Sequence, residues 1–484
     1  MSSIKEKTVS GFKWQIVSQY GQKILSILTS VILARILEPA DFGHFAMAFI
    51  VIDGLGLFKS LGIDSALIQR KGDIDRAAHT SFMIVPLLGV LLCAVAFLAA
   101  PFAAAALHAP ILTSVIRMLG LVFIFGCLAN TPMAILTREL KFKELAVRDL
   151  MAAILYSSTA VLLAWRGFGL WSLVYGYLVK QLSTFILVWT MCPYRPRFVF
   201  DSRIASELIH FGKYVFGTLL MLFLIEQIDV TLVGRLLGAA MLGFYAMARN
   251  TANLVGSHVI VILTRVLYPV YARLQGDKAE IKRICLKVVK TMTIFSFPFA
   301  AGMAILTKEL VEVVYGNKWL AVVPLLKIFA VKVAAVSLTA GFDPIFGACG
   351  KPRWSFWLRF MEVVLMTVLL PTLISAYGIE GAVGAVVLST LCVVPVKLTL
   401  IDRLIGFSLG ELVNAVQPSL IGTLVVSAFI LAAKSLMAIS ARNLQDALLL
   451  AGLLAAAGGI YFVLLYFLDR KAVREIKNLA LGIR

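Results

Sequence analysis

Residues 34–48 read ARILEPADFGHFAMA, and two hundred positions later residues 234–248 read GRLLGAAMLGFYAMA. The register holds without a gap. Arg35 answers Arg235, Gly43 answers Gly243 and Phe45 answers Tyr245; further out, Lys13 answers Lys213, Trp14 answers Tyr214 and Gly56 answers Gly256. A repeat of this kind, set in apolar runs long enough to cross a bilayer, marks a duplicated membrane-spanning unit. Copies that start on the same side of the membrane build two lobes around one central path, an arrangement that transporters use.

The composition agrees. Of the 484 residues, 61% are hydrophobic and 15% charged, with a mean hydropathy of +0.94. A water-facing globule would lack the polar surface to cover itself, so apolar surface must meet lipid. A formal charge of +19 would suit a nucleic-acid binder only on a soluble basic face, and no polar stretch is long enough to form one, so no nucleic-acid partner is expected. The six cysteines, Cys93, Cys127, Cys192, Cys285, Cys349 and Cys392, stand singly in or beside apolar segments and read as packing residues. The N-terminal MSSIKEKTVSGFKWQ has neither the short apolar core nor the cleavage site of a signal peptide, so the first apolar segment is expected to stay in the mature chain.

A helical crossing takes about 20 mainly apolar residues. Windows of that kind fall at 13–36, 42–62, 80–105, 111–135, 146–165, 169–191, 210–235, 242–264, 286–307, 319–341, 355–376, 380–401, 415–437 and 446–468. The expected fold is therefore all-α and polytopic, with about 14 transmembrane helices. With the N-terminus inside, Arg70, Lys71, Arg76, Arg138, Lys141, Lys143 and the basic run from Arg265 to Lys287 all fall in or beside cytosolic segments. External segments are poor in Lys and Arg, as the positive-inside rule requires. Both termini are thus expected in the cytosol. The repeat offset equals six spans, which gives lobes over 1–200 and 201–405, then two further helices and a basic tail over 406–484. That tail, DRKAVREIKNLALGIR, suits an anionic inner leaflet.

Several chemistries are missing. Gly350 and Lys351 lie in FGACGKPR without the first glycine of a nucleotide cradle, and neither HExxH nor GxSxG occurs. His44, His79, His108, His210 and His258 are too scattered to suggest a metal site. Asp73 and Asp75 form a DxD, read here as a solvated turn because no nucleotide-binding domain surrounds it. Neither an enzyme nor a cofactor is expected, apart from H⁺ or Na⁺ as a coupling ion.

The informative charges lie inside the spans, where each ionisable residue costs about 2.5–3.5 kcal/mol on insertion scales. Lys23 shares a helical face with Gln19, Ser26 and Ser30, a stripe that suits either a cavity wall or a polar helix interface. Asp53 is a candidate partner for Lys23. Glu226 and Asp229 are one turn apart and, with Arg249 at similar depth, form either a titratable switch or a structural salt bridge. Arg117, Lys180, Lys327, Lys332 and Arg359 add cations, and Glu362 follows Arg359 at the spacing of a local pair. Lys327 and Lys332, five apart, cannot both face a narrow cavity squarely. The candidate binding set is thus Lys23, Arg117, Lys180, Arg249, Lys327, Lys332 and Arg359, and the candidate coupling or gating set is Asp53, Glu226, Asp229 and Glu362. The excess of cations suits a phosphate-bearing or acidic cargo. Trp14, Trp171, Trp189, Trp319 and Tyr268 read as interfacial belts. Tyr175 and Tyr177 lie deeper, where a sugar contact is open to them. Close helix packing is the preferred reading for Gly43, Gly54, Gly56, Gly243 and Gly256.

LARILEPADFGHFAMA, the following LGIDSALIQRKGD and the second-copy IDVTLVGRLLGAAMLGFYAMARNTANL together resemble the polysaccharide transporter family of the multidrug/oligosaccharidyl-lipid/polysaccharide (MOP) flippase superfamily. The resemblance is strongest to Wzx-type exporters of the colanic acid and exopolysaccharide branch and covers nearly the whole chain. It implies a V-shaped pair of six-helix lobes working by alternating access. The implied cargo is an undecaprenyl-pyrophosphate-linked oligosaccharide, turned from the inner to the outer leaflet of a bacterial inner membrane for exopolysaccharide, capsule or O-antigen synthesis. It also implies a cationic cavity lined largely by helices 1, 2, 7 and 8, the helices that carry Lys23, Asp53, Asp229 and Arg249. A polysaccharide polymerase and a chain-length regulator are the expected neighbours, and a monomer the expected state. A lipid II flippase and a MATE-like drug exporter are alternatives within transport. A polymerase or ligase is the alternative among enzymes, although the large periplasmic loop usual there is missing.

Overall fold

A computed structural model describes residues 2–70, 72–436 and 444–470, so most of the basic tail lies outside the described residues, as do the side chains of Lys13, Lys213 and Tyr214. Among the described residues the regular structure is helical throughout, with no strand. The described residues form fifteen α-helices in succession: α1 Ser2–Ile36, α2 Pro39–Gly56, α3 Ile63–Gln69, α4 Ile74–Ala106, α5 Leu112–Arg138, α6 Phe142–Trp165, α7 Leu170–Met191, α8 Ser202–Arg273, α9 Lys278–Ile305, α10 Thr307–Val314, α11 Val322–Ser337, α12 Phe342–Ala348, α13 Pro352–Ile405, α14 Leu409–Leu436 and α15 Leu444–Leu468. Ten stretches are long and apolar enough to cross a membrane among the described residues. The protein is a multi-pass membrane protein.

Two helices are too long to be single crossings. At 1.5 Å per residue, α8 and α13 would run about 108 and 81 Å, against a hydrocarbon core of about 30 Å. Each is broken at a glycine in the positive-φ region that side chains disfavour: Gly238 at φ 82° and Gly378 at φ 58°. Beyond the second break the chain folds back so closely that a side chain at Gly381 would run into the carbonyl of Leu373. These breaks fall between the spans expected at 210–235 and 242–264, and between those at 355–376 and 380–401.

The chain packs as two compact units, Met1–Gly243 and Phe244–Arg484. In the first, helices meet through small residues: a Cβ on Gly89 would press on Cys127, one on Gly120 on Ala96, and one on Gly176 on Ala160. Lipid offers tails as apolar as leucine, so close backbone approach and polar ties hold helices together instead. Ser18 donates to the Ala146 carbonyl at 3.0 Å and Thr29 to Ser157 at 2.7 Å, joining α1 to α6. The repeat also makes a contact of its own. A Cβ on Gly43 would run into the Ala239 carbonyl, and one on Gly243 into the Pro39 carbonyl. Residues 39 and 43 thus meet their own equivalents, 239 and 243, reciprocally.

In the second unit, Tyr271, Phe342, Phe346 and Phe407 form the aromatic part of a buried core. The last two helices are tied to α9 and α10 by polar contacts: Tyr461 to the Ile294 carbonyl (2.8 Å), Lys282 to Glu411 (2.7 Å), Lys434 to Glu309 (2.8 Å) and Lys290 to Asp469. Trp319, expected in an interfacial belt, is instead completely buried, with Phe244 edge-on at 5.8 Å, so it is a core residue. Its indole packs inward against Phe244 and, at 6.4 Å, Tyr315.

Several contacts join chain segments at or near helix ends. Arg70 pairs with Glu207, Arg138 donates to the Leu67 carbonyl, Gln275 donates to the Ala348 carbonyl and Lys282 donates to the Gly406 carbonyl. Each joins segments expected on one side. Gly169 near Asp41, and Glu309 with Lys434, join segments expected on the other.

Candidate functional site

In the first unit, α1 shows three faces. Ser18, Gln22 and Thr29 face or flank α6, whereas Val17, Tyr20, Ile24 and Leu28 form an exposed apolar face. The stripe Gln19, Lys23, Ser26 and Ser30 falls between them by helical rotation. Such a flank is suited to water or a polar cargo beside lipid.

Neighbouring helices carry further polar groups. Asp53 on α2 is exposed and lies within electrostatic reach of Glu226 on α8 and Tyr177 on α7. Phe49, one turn before Asp53, sets its ring edge-on to Tyr177 at 4.8 Å. Gln181 donates to the Tyr177 hydroxyl at 3.2 Å, and Lys180 stands over the ring at 5.9 Å. An aromatic ring with a cation above it and a hydroxyl fixed at its rim can hold a sugar face and an anion side by side. Asp149 on α6 lies within electrostatic reach of Lys180, and its carboxylate also receives the buried Arg148 guanidinium, whose Nε stands at 2.9 Å.

Lys59, just beyond the end of α2, points its ammonium at α5, where any side chain at Gly126 would collide with it. Arg148 and Asp64 lie within its electrostatic reach. No carboxylate is within ion-pairing distance of Lys23, Lys59 or Lys180 among the described residues. Among the described residues the first unit therefore holds two lysines on helices, Lys23 and Lys180, and a third in the turn after α2, Lys59, without a bound counter-charge of their own. Asp229 on α8 is buried and its carboxylate accepts from the Val230 amide at 2.8 Å.

Arg117 is placed otherwise. Its Nε donates to the Phe97 carbonyl at 3.4 Å, and its guanidinium lies 4.2 Å from the centre of the exposed Phe97 ring. Both contacts belong to α4, so the guanidinium is engaged by the neighbouring helix.

In the second unit Arg249 is half-buried on α8, Lys332 is half-buried on α11 and Lys327 is exposed one face away on the same helix. Arg359 and Glu362 contribute to a cavity of about 190 Å³, which Thr339, Asp343, Thr390 and Lys397 also line. Asp343 receives Arg359 and Lys397, each at 3.2 Å, whereas the Arg359–Glu362 contact is longer, at 3.7 Å. Both halves of α13 supply this cluster. The DxD is a helix cap: Asp73 accepts from the Arg76 amide at 3.2 Å and pairs with its side chain. Among the described residues no cluster of metal ligands forms.

Sequence reading missed Lys59, Arg148, Asp149, Asp343 and Lys397. The signal was present for all but Asp343, since each falls inside an apolar window. Asp343 sits two residues past one.

The polysaccharide biosynthesis protein family model matches residues 32–324. The chain is 26% identical to the succinoglycan biosynthesis transport protein ExoT of Rhizobium meliloti, over 99% of this chain and 97% of that one. It is 25% identical to the lipopolysaccharide biosynthesis protein WzxC of Escherichia coli, over 79% and 77% respectively. Among solved structures, the lipid II flippase MurJ in an inward closed conformation superposes with a TM-score of 0.76 at 13% identity, covering 95% of this chain and 99% of that one. The last similarity concerns the fold.

Proposed function

The chain belongs to the polysaccharide biosynthesis protein family, and from that premise we propose that it is a flippase for undecaprenyl-pyrophosphate-linked oligosaccharide. It carries the repeat unit from the inner to the outer leaflet of a bacterial inner membrane, for exopolysaccharide, capsule or O-antigen synthesis. The observation that carries this reading is the set Lys23, Lys59 and Lys180, three ammonium groups within apolar windows that have no carboxylate at pairing distance among the described residues. Such groups are costly in a bilayer unless they meet water or an anion, and a pyrophosphate supplies several charged oxygens at once. Tyr177 and Phe49, beside Lys180, offer a stacking edge for the first sugar.

The protein makes and breaks no covalent bond in this reading. An ion gradient drives the cycle, with Asp53, Glu226 and Asp229 as the carboxylates that take up H⁺ or Na⁺. One charge crossing 100 mV releases about 2.3 kcal/mol, enough for one or two ions to drive a turn. The termini lie in the cytosol, the chain acts as a monomer, and a polymerase with its chain-length regulator receives the product outside.

The test is reconstitution in liposomes with a fluorescent undecaprenyl-pyrophosphate oligosaccharide, tracking its appearance on the opposite leaflet with and without pH or sodium gradients. Gradient-dependent movement is expected. Binding without movement under either gradient would overturn the reading.

A further inference from the structure

Between α7 and α8 the chain runs without regular secondary structure as CPYRPRFVFD, residues 192–201, and joins the first six long apolar segments to the start of the second copy. Two backbone amides fasten it to the start of α4: Arg197 N–H donates to His79 Nδ1 at 3.1 Å and Asp201 N–H to Thr80 Oγ1 at 3.2 Å. Tyr194 completes the attachment, with its hydroxyl 3.1 Å from His79 Nδ1 and its ring stacked on the imidazole at 5.5 Å. A backbone pinned in this way must display its other side chains.

Those displayed are apolar and cationic together. Phe198 is 91% exposed and Phe200 58%, and both are flanked by the exposed guanidinium of Arg197 and that of Arg203, 89% exposed at the start of α8. Arg195 is occupied, donating to the Cys192 and Tyr194 carbonyls. Arg203 reaches Glu207 only at 3.5 Å, across the surface, where such a pair holds weakly. Two bare phenyl rings do not face water without cost. The linker's first residue follows directly on the membrane-crossing helix that ends at Met191, which sets it near headgroup depth. Phenyl rings suit the acyl boundary there, and guanidinium groups suit lipid phosphates.

We propose that this linker is an anionic-lipid docking strap: Phe198 and Phe200 insert at the acyl boundary while Arg197 and Arg203 pair with phospholipid phosphates of the leaflet beside it. The strap requires membrane embedding and no particular cargo, so it stands or falls independently of the flippase reading.

An environment-sensitive fluorophore placed by Phe198→Cys reads it in the full-length protein. Cys93, Cys349 and Cys392, exposed or half-buried, are replaced by alanine for the purpose. Cys192 does not compete for label, because it is buried and burial pushes its thiol up, away from the reactive thiolate. Nanodiscs of phosphatidylcholine are titrated with spin-labelled phosphatidylglycerol. Emission from position 198 is expected to shift to the blue and to be quenched as the anionic lipid rises. Arg197→Gln with Arg203→Gln should weaken the apparent lipid affinity roughly fivefold per guanidinium removed. Emission typical of water with quenching by aqueous iodide instead, or an unchanged lipid dependence in the double variant, would overturn the proposal. A parallel label at exposed Phe102, on α4, reports whether the variants keep their membrane fold.

Discussion

Among single side chains, Lys59 best separates a structural from a functional role. An ammonium packed over Gly126 adds little to stability, because no partner anion holds it among the described residues, yet it would add much to the capture of a phosphate. A charge-assisted contact contributes about 1.5–3 kcal/mol, so Lys59→Met and Lys180→Met are each expected to lower export roughly 10- to 100-fold with insertion intact. Arg117→Gln is the contrast, since its guanidinium rests on Phe97; export should stay within about twofold. Initial rates in liposomes decide both, and equal losses for all three would remove the distinction. Lys23, Lys180 and Arg359 were legible because an ionisable residue in an apolar window is conspicuous. Their company was not: nothing in sequence spacing reveals that Asp343 sits between Arg359 and Lys397, which depends on two turns of chain closing. Trp319 shows the reverse error, where position near a span end suggested lipid and the fold supplied a core.

Helices, one level up, are defined by their breaks and held by their ties. Glycine at 238 and 378 turns one continuous apolar pattern into two crossings, and the expected boundaries fell there because apolar length alone demanded an interruption. The ties were hidden, being contacts between distant segments. Lys434 meets Glu309, which is buried, and also donates to the Ile305 carbonyl. Lys434→Met strands that carboxylate. The expected loss is about 1–3 kcal/mol, below the full cost of a buried pair because Lys434 itself is partly exposed. Thermal unfolding in detergent should show a lower midpoint, and adding Glu309→Leu should restore part of it by removing the stranded charge. An unshifted midpoint in the single variant would mean that the tie contributes nothing to the seating of α14.

Across the full chain, alternation is the property most open to direct test. Accessibility tags inserted after Gly72, Asp201 and Gly276 are expected on the cytosolic side, and tags after Pro110, Gly167 and Asn317 on the other. A single tag on the wrong face would displace every span after it. The repeat itself is visible in fifteen residues and their echo, because a repeat survives where general similarity has faded. The reciprocal meeting of the echoes is not, since a sequence states equivalence and never adjacency. That meeting has a genetic consequence. Residue 43 presses on 239, and 243 on 39, so neither half of the duplication is free to drift alone at this point. A strain crippled by Gly43→Ala should yield revertants near residue 239, and one crippled by Gly243→Ala should yield them near residue 39. Selection for restored polysaccharide would then recover, from spontaneous mutants, a map of which halves of the ancient duplication still answer to each other.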